Sequence, residues 1–316
     1  DFKESAENVL KLFKAQSYDK SNFDGVVGIT TNVLEDIMKI VGGVTIDGIE
    51  FNAENVIDKL QYEVEYGYNK RGETLLNRKA ILGKLAAAII EKIHAMPPFE
   101  WGGLWSTWKR LIAQKHAFIY YTDTETQKEL KRIGWDAGVA NSFDGDYLLV
   151  NDANLGSLKS DPAVQRSYEY KVIKEGEKWF GQLTAHYNHT GKFDWKTTRY
   201  LSYTRVYVPQ GSTVVSAKGL MAQDGKTGFP DVEEEHNKTV FGGFFSLEPG
   251  AQHKIELKWE LAPSVAAQYE MGRVSALFQK QLGAAPINID YTVQKAQAAH
   301  KNQIILNEDR VITIEL

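Results

Sequence analysis

The chain has 316 residues, a net charge of −4, 43% hydrophobic and 25% charged residues, and no cysteine. Such a composition belongs to a globular chain long enough for two domains of ordinary size. It excludes disulfides, thiolate metal sites and cysteine nucleophiles, and its charge gives no electrostatic reason to expect nucleic acid or an anionic membrane as partner.

Helical periods dominate the first part. Ser5 to Ala15 places Ala6, Val9, Leu10, Leu12 and Phe13 largely on one helical face. Asp24 to Thr30 reads as a short buried strand. A helix through Val33, Ile37, Met38 and Val41 should follow, capped at Thr31 or Asn32 and ended by Gly42-Gly43. Val44 to Ile49 is expected to form a hairpin around Asp47-Gly48, and Asn52 to cap a helix through Val56, Ile57 and Leu60. Leu75 to Ala95, rich in Ala, Leu and Ile, predicts the strongest helix, stopped at Pro97-Pro98. Its longest apolar run, Ala80 to Ile93, is broken by Lys84 and Glu91 and falls short of the roughly 18–20 residues of a membrane span. Trp101, Trp105 and Trp108 share one face of the next helix, a stripe that reads as core packing rather than a ligand platform. Phe118 to Tyr121 predicts a strand, and Thr124 to Arg132 a short helix ended by Gly134.

The passage DYLLVNDANLGSLKSD, Asp146 to Asp161, marks a change of character. Beyond it, nine or ten short alternating segments, separated by turns such as Glu248-Pro249-Gly250, predict an all-β immunoglobulin-like sandwich. Met221 to His236, acidic at Glu233-Glu234-Glu235, reads as a long exposed loop. The expected organisation is an α/β (or α+β) domain over residues 1–145 and a β-sandwich over residues 146–316.

Chemistry-bearing motifs are few. There is no G-x-S-x-G elbow and no phosphate loop. His186 and His189, three apart on a strand, point to opposite faces, a poor arrangement for one metal. Neither a metal nor a cofactor is expected. Arg78-Lys79 stands at the start of the long helix, where a cation opposes the helix dipole unless a carboxylate such as Glu63, Glu65 or Glu73 stands nearby. Asp152, Asn154, Lys159 and Asp161 form a polar cluster at the junction, read as turn and capping residues that bond backbone, with Gly156 allowing the turn.

Several passages together resemble the bacterial family called domain of unknown function 4012. They are FDGVVGITTNVLEDIMKIVGGVTIDG, FNAENVIDKLQYEVEYGYNKRGETLLNRKAILGKLAAAIIEKI, GDYLLVNDANLGSLKSD, YLSYTRVYVPQGSTVVSA and LFQKQLGAAP. The resemblance implies an envelope-associated, extracytoplasmic bacterial protein whose full-length form carries a membrane anchor and a strand-rich half upstream of this chain. More distantly, the first part resembles the LytR-CpsA-Psr phosphotransferases, through a helix ending V-G-G-V, the helix opening at Asn52-Ala53-Glu54, and Arg78. That resemblance implies that Arg78, with Arg71, grips a lipid pyrophosphate. Where those enzymes carry a further arginine, however, this chain has Leu60-Gln61-Tyr62-Glu63-Val64-Glu65.

Three functions are therefore expected in order. The first is a non-catalytic envelope module for binding or assembly, with a cell-wall glycopolymer or another envelope protein as partner. The second is a glycopolymer phosphotransferase acting on a polyprenyl-pyrophosphate donor through Arg78 and Arg71. The third is a carbohydrate- or protein-binding β-sandwich that uses exposed aromatics such as Trp195.

Overall fold

The computed structural model describes residues 1–16, 22–156 and 158–316, so Ser157 of the junction passage lies outside it. The chain divides into two compact units, Asp1–Gly138 and Val139–Leu316.

In the first unit, helices surround two small sheets. Helix α1 (Phe2–Gln16) precedes strand β1 (Gly25–Ile29) and helix α2 (Thr31–Val41). Gly42 ends α2 with φ of 78°, a conformation glycine adopts without a Cβ penalty. The hairpin of β2 (Val44–Ile46) and β3 (Ile49–Phe51) turns at Asp47 and Gly48, both with positive φ, as an Asp-Gly pair favours. Asn52 accepts from the N–H groups of Glu54 and Asn55 and so leads into α3 (Val56–Glu65). Met38, Phe51, Val56, Leu60, Ile81, Leu85 and Ile89 close a core between these helices and the hairpin.

Helix α4 runs only over Ala80–His94. Its expected first turn is instead a chain of short turns, Asn77 N–H to the Thr74 carbonyl and Ala80 N–H to the Asn77 carbonyl. Helix α5 (Trp101–Ala113), strand β4 (Ala117–Tyr121) and helix α6 (Thr124–Arg132) complete the unit. Asp123 caps α6 by accepting from the Thr126 N–H at 2.8 Å. Strand β4 pairs antiparallel with β1, Gly25 opposite Tyr121 and Ile29 opposite Ala117.

The second unit is a β-sandwich. Among the described residues, one six-stranded sheet has the order β10-β11-β8-β5-β13-β16 and the other β15-β14-β6-β7-β12-β9. The first contains β5 (Asp146–Asn154), β8 (Tyr200–Pro209), β10 (Asp231–Glu235), β11 (Lys238–Leu247), β13 (Arg273–Phe278) and β16 (Arg310–Glu315). The second contains β6 (Val164–Glu175), β7 (Lys178–His189), β9 (Thr213–Lys218), β12 (Gln252–Glu260), β14 (Ile287–Lys295) and β15 (Ala298–Leu306). Two pairings are parallel, β5 with β13 and β6 with β14. Inward side chains of both sheets share one core, at whose centre the rings of Trp259, Tyr170 and Tyr291 stack nearly parallel at 5.7 and 5.5 Å.

Two expectations are corrected. The supposed loop Met221–His236 contains edge strand β10, paired to β11 from Asp231 opposite Gly242 to Glu235 opposite Lys238. Charged edges of this kind resist further pairing. A short helix, α7 (Pro263–Met271), also interrupts the strands, begun by proline and ended by Gly272 with φ of 84°.

Candidate functional site

An open trough of about 950 Å³ lies on the outer face of the second sheet. Strand alternation builds it, because every second residue of β14, β6, β7 and β12 points away from the core. Register then aligns these residues in rows across the strands. Gln165, Asn188 and Gln252 form one row, Asn288, Ser167, His186 and Lys254 the next, and Asp290, Glu169, Thr184 and Glu256 the third, of which Asp290 and Glu169 line the trough while Thr184 and Glu256 continue the face beyond it. With strands about 4.8 Å apart, a four-strand row spans about 14 Å.

The rows are bonded among themselves. His186 Nε2 lies 3.2 Å from Glu169 Oε1, and Asn188 donates to Gln165 at 3.3 Å. Lys254 pairs with Glu256 at 3.0 Å. The hydrogen bond from Lys171, against the cost of burial and with help from His186, holds the Glu169 carboxyl below its ordinary range. Lys254 does the same for Glu256. Both groups are thus ionised acceptors near neutral pH. What the trough offers is amide donors and acceptors, a hydroxyl and fixed carboxylates, which suit the hydroxyl groups of a sugar chain.

The two arginines expected at a pyrophosphate are both engaged by carboxylates. Arg71 forms an ion pair with Glu63 and donates to the Glu63 carbonyl, with both side chains largely buried. Arg78 donates to Glu65 at 2.9 Å. Glu63 and Glu65 stand on the last turn of α3, so this acidic segment occupies both arginines.

The passage from Asp146 to Asp161 lies wholly within the second unit rather than between units, and there the structure brings Asp152 and Asp161 together around a residue that sequence reasoning missed, Arg166. Its Nε donates to Asp152 Oδ2 at 2.7 Å, and its Nη2 to Asp161 Oδ1 at 2.6 Å and to the Tyr200 hydroxyl at 2.8 Å. Its Nη1 reaches the Val164 carbonyl at 3.0 Å. The other oxygen of Asp152 accepts from Tyr187 and Thr204 at 3.0 and 2.6 Å. Burial works against the guanidinium charge, but Asp152, Tyr200 and Asp161 outweigh it and raise the Arg166 pKa. Asp152 and Asp161 therefore bond side chains rather than the backbone bonds expected of them. Asn154 does bond backbone, accepting from Gly156 N–H and donating to the Leu158 carbonyl. Among the described residues, Lys159 joins by its main-chain N–H to the Lys196 carbonyl, its side chain being exposed. Gly156 is required for close approach, since a Cβ there would lie 2.8 Å from the Arg199 carbonyl oxygen. The cluster is a closed polar staple rather than an open site.

The remaining aromatic candidates divide. Trp108 packs against the Leu111–Ile112 core, whereas Trp101 and Trp105 are 45% and 52% exposed and line an apolar groove of about 260 Å³ with Ile37 and Ile93. The stripe is therefore only partly core. Trp195 is exposed, in the connection from β7 to β8. His186 faces outward on β7 and His189 is buried, its Nε2 3.0 Å from the Thr198 carbonyl and its Nδ1 accepting from Gly191 N–H.

Comparison with curated proteins found no match. Among solved structures the chain is similar to aminopeptidase A of Legionella pneumophila, at 7% identity and a TM-score of 0.26, over 52% of this chain and 22% of that one. It is also similar to an M1 zinc metallopeptidase mutant from Deinococcus radiodurans, at 14% identity and a TM-score of 0.23, over 48% and 39%. A third is a putative nutrient binding protein of Legionella pneumophila subsp. pneumophila str. Philadelphia 1, at 7% identity and a TM-score of 0.26, over 46% and 55%. The chain thus spans 22% to 55% of the length of these structures, and likeness at such scores says nothing of activity. Residues 1–65 match the family model described as protein of unknown function (DUF4012), a match that supports membership of the DUF4012 family.

Proposed function

We propose that this chain is an extracytoplasmic, envelope-associated binding module, non-catalytic as it stands, whose β-sandwich holds a cell-wall glycan in the outer trough. The observation that carries the reading is the three-row polar face, where the Glu169 and Glu256 carboxyls are both held ionised beside amides on four rigid strands. The resemblance to envelope proteins supports the location. Rigid strand-borne donors and acceptors favour binding because little side-chain ordering is left to the ligand.

Titration with soluble cell-wall glycan fragments should give saturable binding. Glu169→Gln removes a charged acceptor, a bond of roughly 1.5–3 kcal/mol, so affinity should fall by about one to two orders of magnitude. Failure of every fragment to bind at millimolar concentration would sink the proposal.

The phosphotransferase reading makes a separate prediction. Because Glu63 and Glu65 already hold Arg71 and Arg78, a polyprenyl-pyrophosphate donor would have to displace carboxylates. Calorimetry with such a donor is expected to show no binding, and Arg78→Ala to change nothing. Tight binding lost in that variant, or turnover of the donor, would reinstate the enzyme.

A further inference from the structure

We infer that one end of the β-sandwich docks on an anionic lipid bilayer, with Phe193, Trp195, Leu155 and Leu158 entering the acyl boundary and lysines meeting the phosphates. Two neighbouring connections build this end. One follows β5 and carries Leu155, Leu158 and Lys159; the other joins β7 to β8 and carries Lys192, Phe193, Trp195 and Lys196. Hydrogen bonds zip them together. Leu155 N–H bonds the Leu201 carbonyl and Lys159 N–H the Lys196 carbonyl. Ser160 Oγ donates to the Thr198 carbonyl and accepts from Thr198 N–H, at 2.8 and 3.0 Å.

The second connection is also held by bonds of its own. Asp194 Oδ1 accepts from the N–H groups of Lys196 and Thr197 at 2.9 and 2.8 Å, and Asp194 N–H bonds the Thr197 carbonyl. Gly191 lets the turn pack, since a Cβ there would lie 2.8 Å from Thr197 Cγ2. A fixed backbone thus presents large apolar side chains to solvent. Phe193 is 62% exposed, Leu155 52%, Leu158 39% and Trp195 38%. Four such residues on two zipped connections make a patch rather than a scatter.

The charges around them have one sign. Three of the apolar residues have a lysine beside them in sequence, as Leu158-Lys159, Lys192-Phe193 and Trp195-Lys196. Lys159 and Lys192 are exposed and, among the described residues, have no ion-pair partner. Asp194 is turned to backbone N–H groups, and Arg199 is paired with Glu248. The patch is therefore locally cationic on a chain whose net charge is −4.

This pairing of apolar and cationic groups selects the occupant. Lysine is depleted from protein interfaces, and the lysines would repel a second copy of the same patch. A soluble polyanion would satisfy the lysines but leave Phe193 and Leu155 in water. A bilayer takes both. Lysine stems follow the apolar groups inward while the ammonium groups stay at phosphate level, and the Trp195 indole suits the headgroup boundary.

Flotation of the full chain with vesicles is the test. Vesicles of phosphatidylcholine and phosphatidylglycerol in equal parts should carry the protein, and phosphatidylcholine alone should carry much less. Phe193→Ser should weaken binding by about ten- to a hundredfold. Replacing Lys159 and Lys192 together by alanine should weaken it by roughly thirtyfold. Brominated acyl chains should quench part of the tryptophan fluorescence, and Trp195→Phe should abolish that quenching while the protein still floats. These positions are exposed, so thermal melts should match wild type and separate lost docking from lost fold. The variants share no residue with the trough, so glycan binding should be the same in all of them. Absence of flotation with anionic vesicles would overturn the inference, as would flotation that Phe193→Ser and the lysine pair leave unchanged. Quenching that persists in Trp195→Phe would put another face on the bilayer and overturn it equally. Soluble polyglycerol phosphate bound as tightly as the vesicles, with no loss in Phe193→Ser, would make the patch a polyanion site instead.

Discussion

Replacing Arg166 by methionine is expected to destabilise the β-sandwich by about 3–5 kcal/mol, the usual consequence of removing one partner from a buried ion pair. The side chain is 7% exposed and that of Asp152 is fully buried. Without the guanidinium, Asp152 keeps only the hydroxyls of Tyr187 and Thr204, too little for a buried charge. At about 2–4 °C per kcal/mol for a unit of this size, the melting temperature should fall by about 6–20 °C. Arg166→Lys keeps the charge but loses the fork that spans Asp152, Asp161 and Tyr200, so it should fall between wild type and methionine. Adding Asp152→Leu to Arg166→Met should recover part of the loss, because the stranded charge is then gone. Calorimetric melts within about 2 °C of wild type for Arg166→Met would show that the cluster does not staple the β5–β6 crossing.

How far this staple could be read from the sequence shows where such reading stops. Asp152 and Asp161 stood out because acids in a turn-rich passage are conspicuous. Arg166 did not, because it sits inside an alternating strand. Yet parity carried a signal: Val164, Tyr168, Tyr170 and Val172 point inward, so residue 166 must too, and a charge on an inward position demands a counter-charge. Helical periods placed α1 to α3, α5 and α6 because amphipathic repeats are local. The extension of α4 back to Leu75 failed because the same periodicity continues into residues that the chain turns away in successive tight bonds. Strand β10 was hidden by its acidity, a property of edges rather than of loops, and α7 by its shortness. The trough was not legible at all. Gln165, Asn188 and Gln252 are neighbours only through register, which long-range pairing decides and no local pattern records.

Asp146→Ala should cost the sandwich about 2–6 kcal/mol. The carboxyl of Asp146 is wholly buried and accepts from the hydroxyls of Tyr170 and Tyr269 at 2.7 Å each and from Tyr147 N–H at 2.8 Å. Tyr269 also bonds Tyr291. Alanine leaves two buried hydroxyls short of an acceptor, at roughly 1–3 kcal/mol apiece. Asp146→Asn keeps the shape and an acceptor, and its comparison with wild type isolates the charge. Burial, the largest influence, raises the carboxyl above its ordinary 3.8, against the pull of the Tyr269, Tyr170 and Tyr147 hydrogen bonds. A raised acid binds its proton more tightly folded than unfolded. Its contribution is therefore complete below pH 3.8 and declines as pH climbs from there through the folded value. Wild type measured against Asp146→Asn should thus lose ground between acid and neutral pH. Glu270, which follows Tyr269 in α7, has the opposite sign. Lys174 and Trp179 hold its carboxyl down at about 2, so its stabilisation is present above 4.5 and disappears as pH falls toward 2. Denaturant melts of wild type and Asp146→Asn from pH 3 to 8 separate the two groups, because Glu270 is common to both proteins and cancels. A stability difference that does not change with pH would mean that Asp146 is ionised to the same degree folded and unfolded, contrary to its burial.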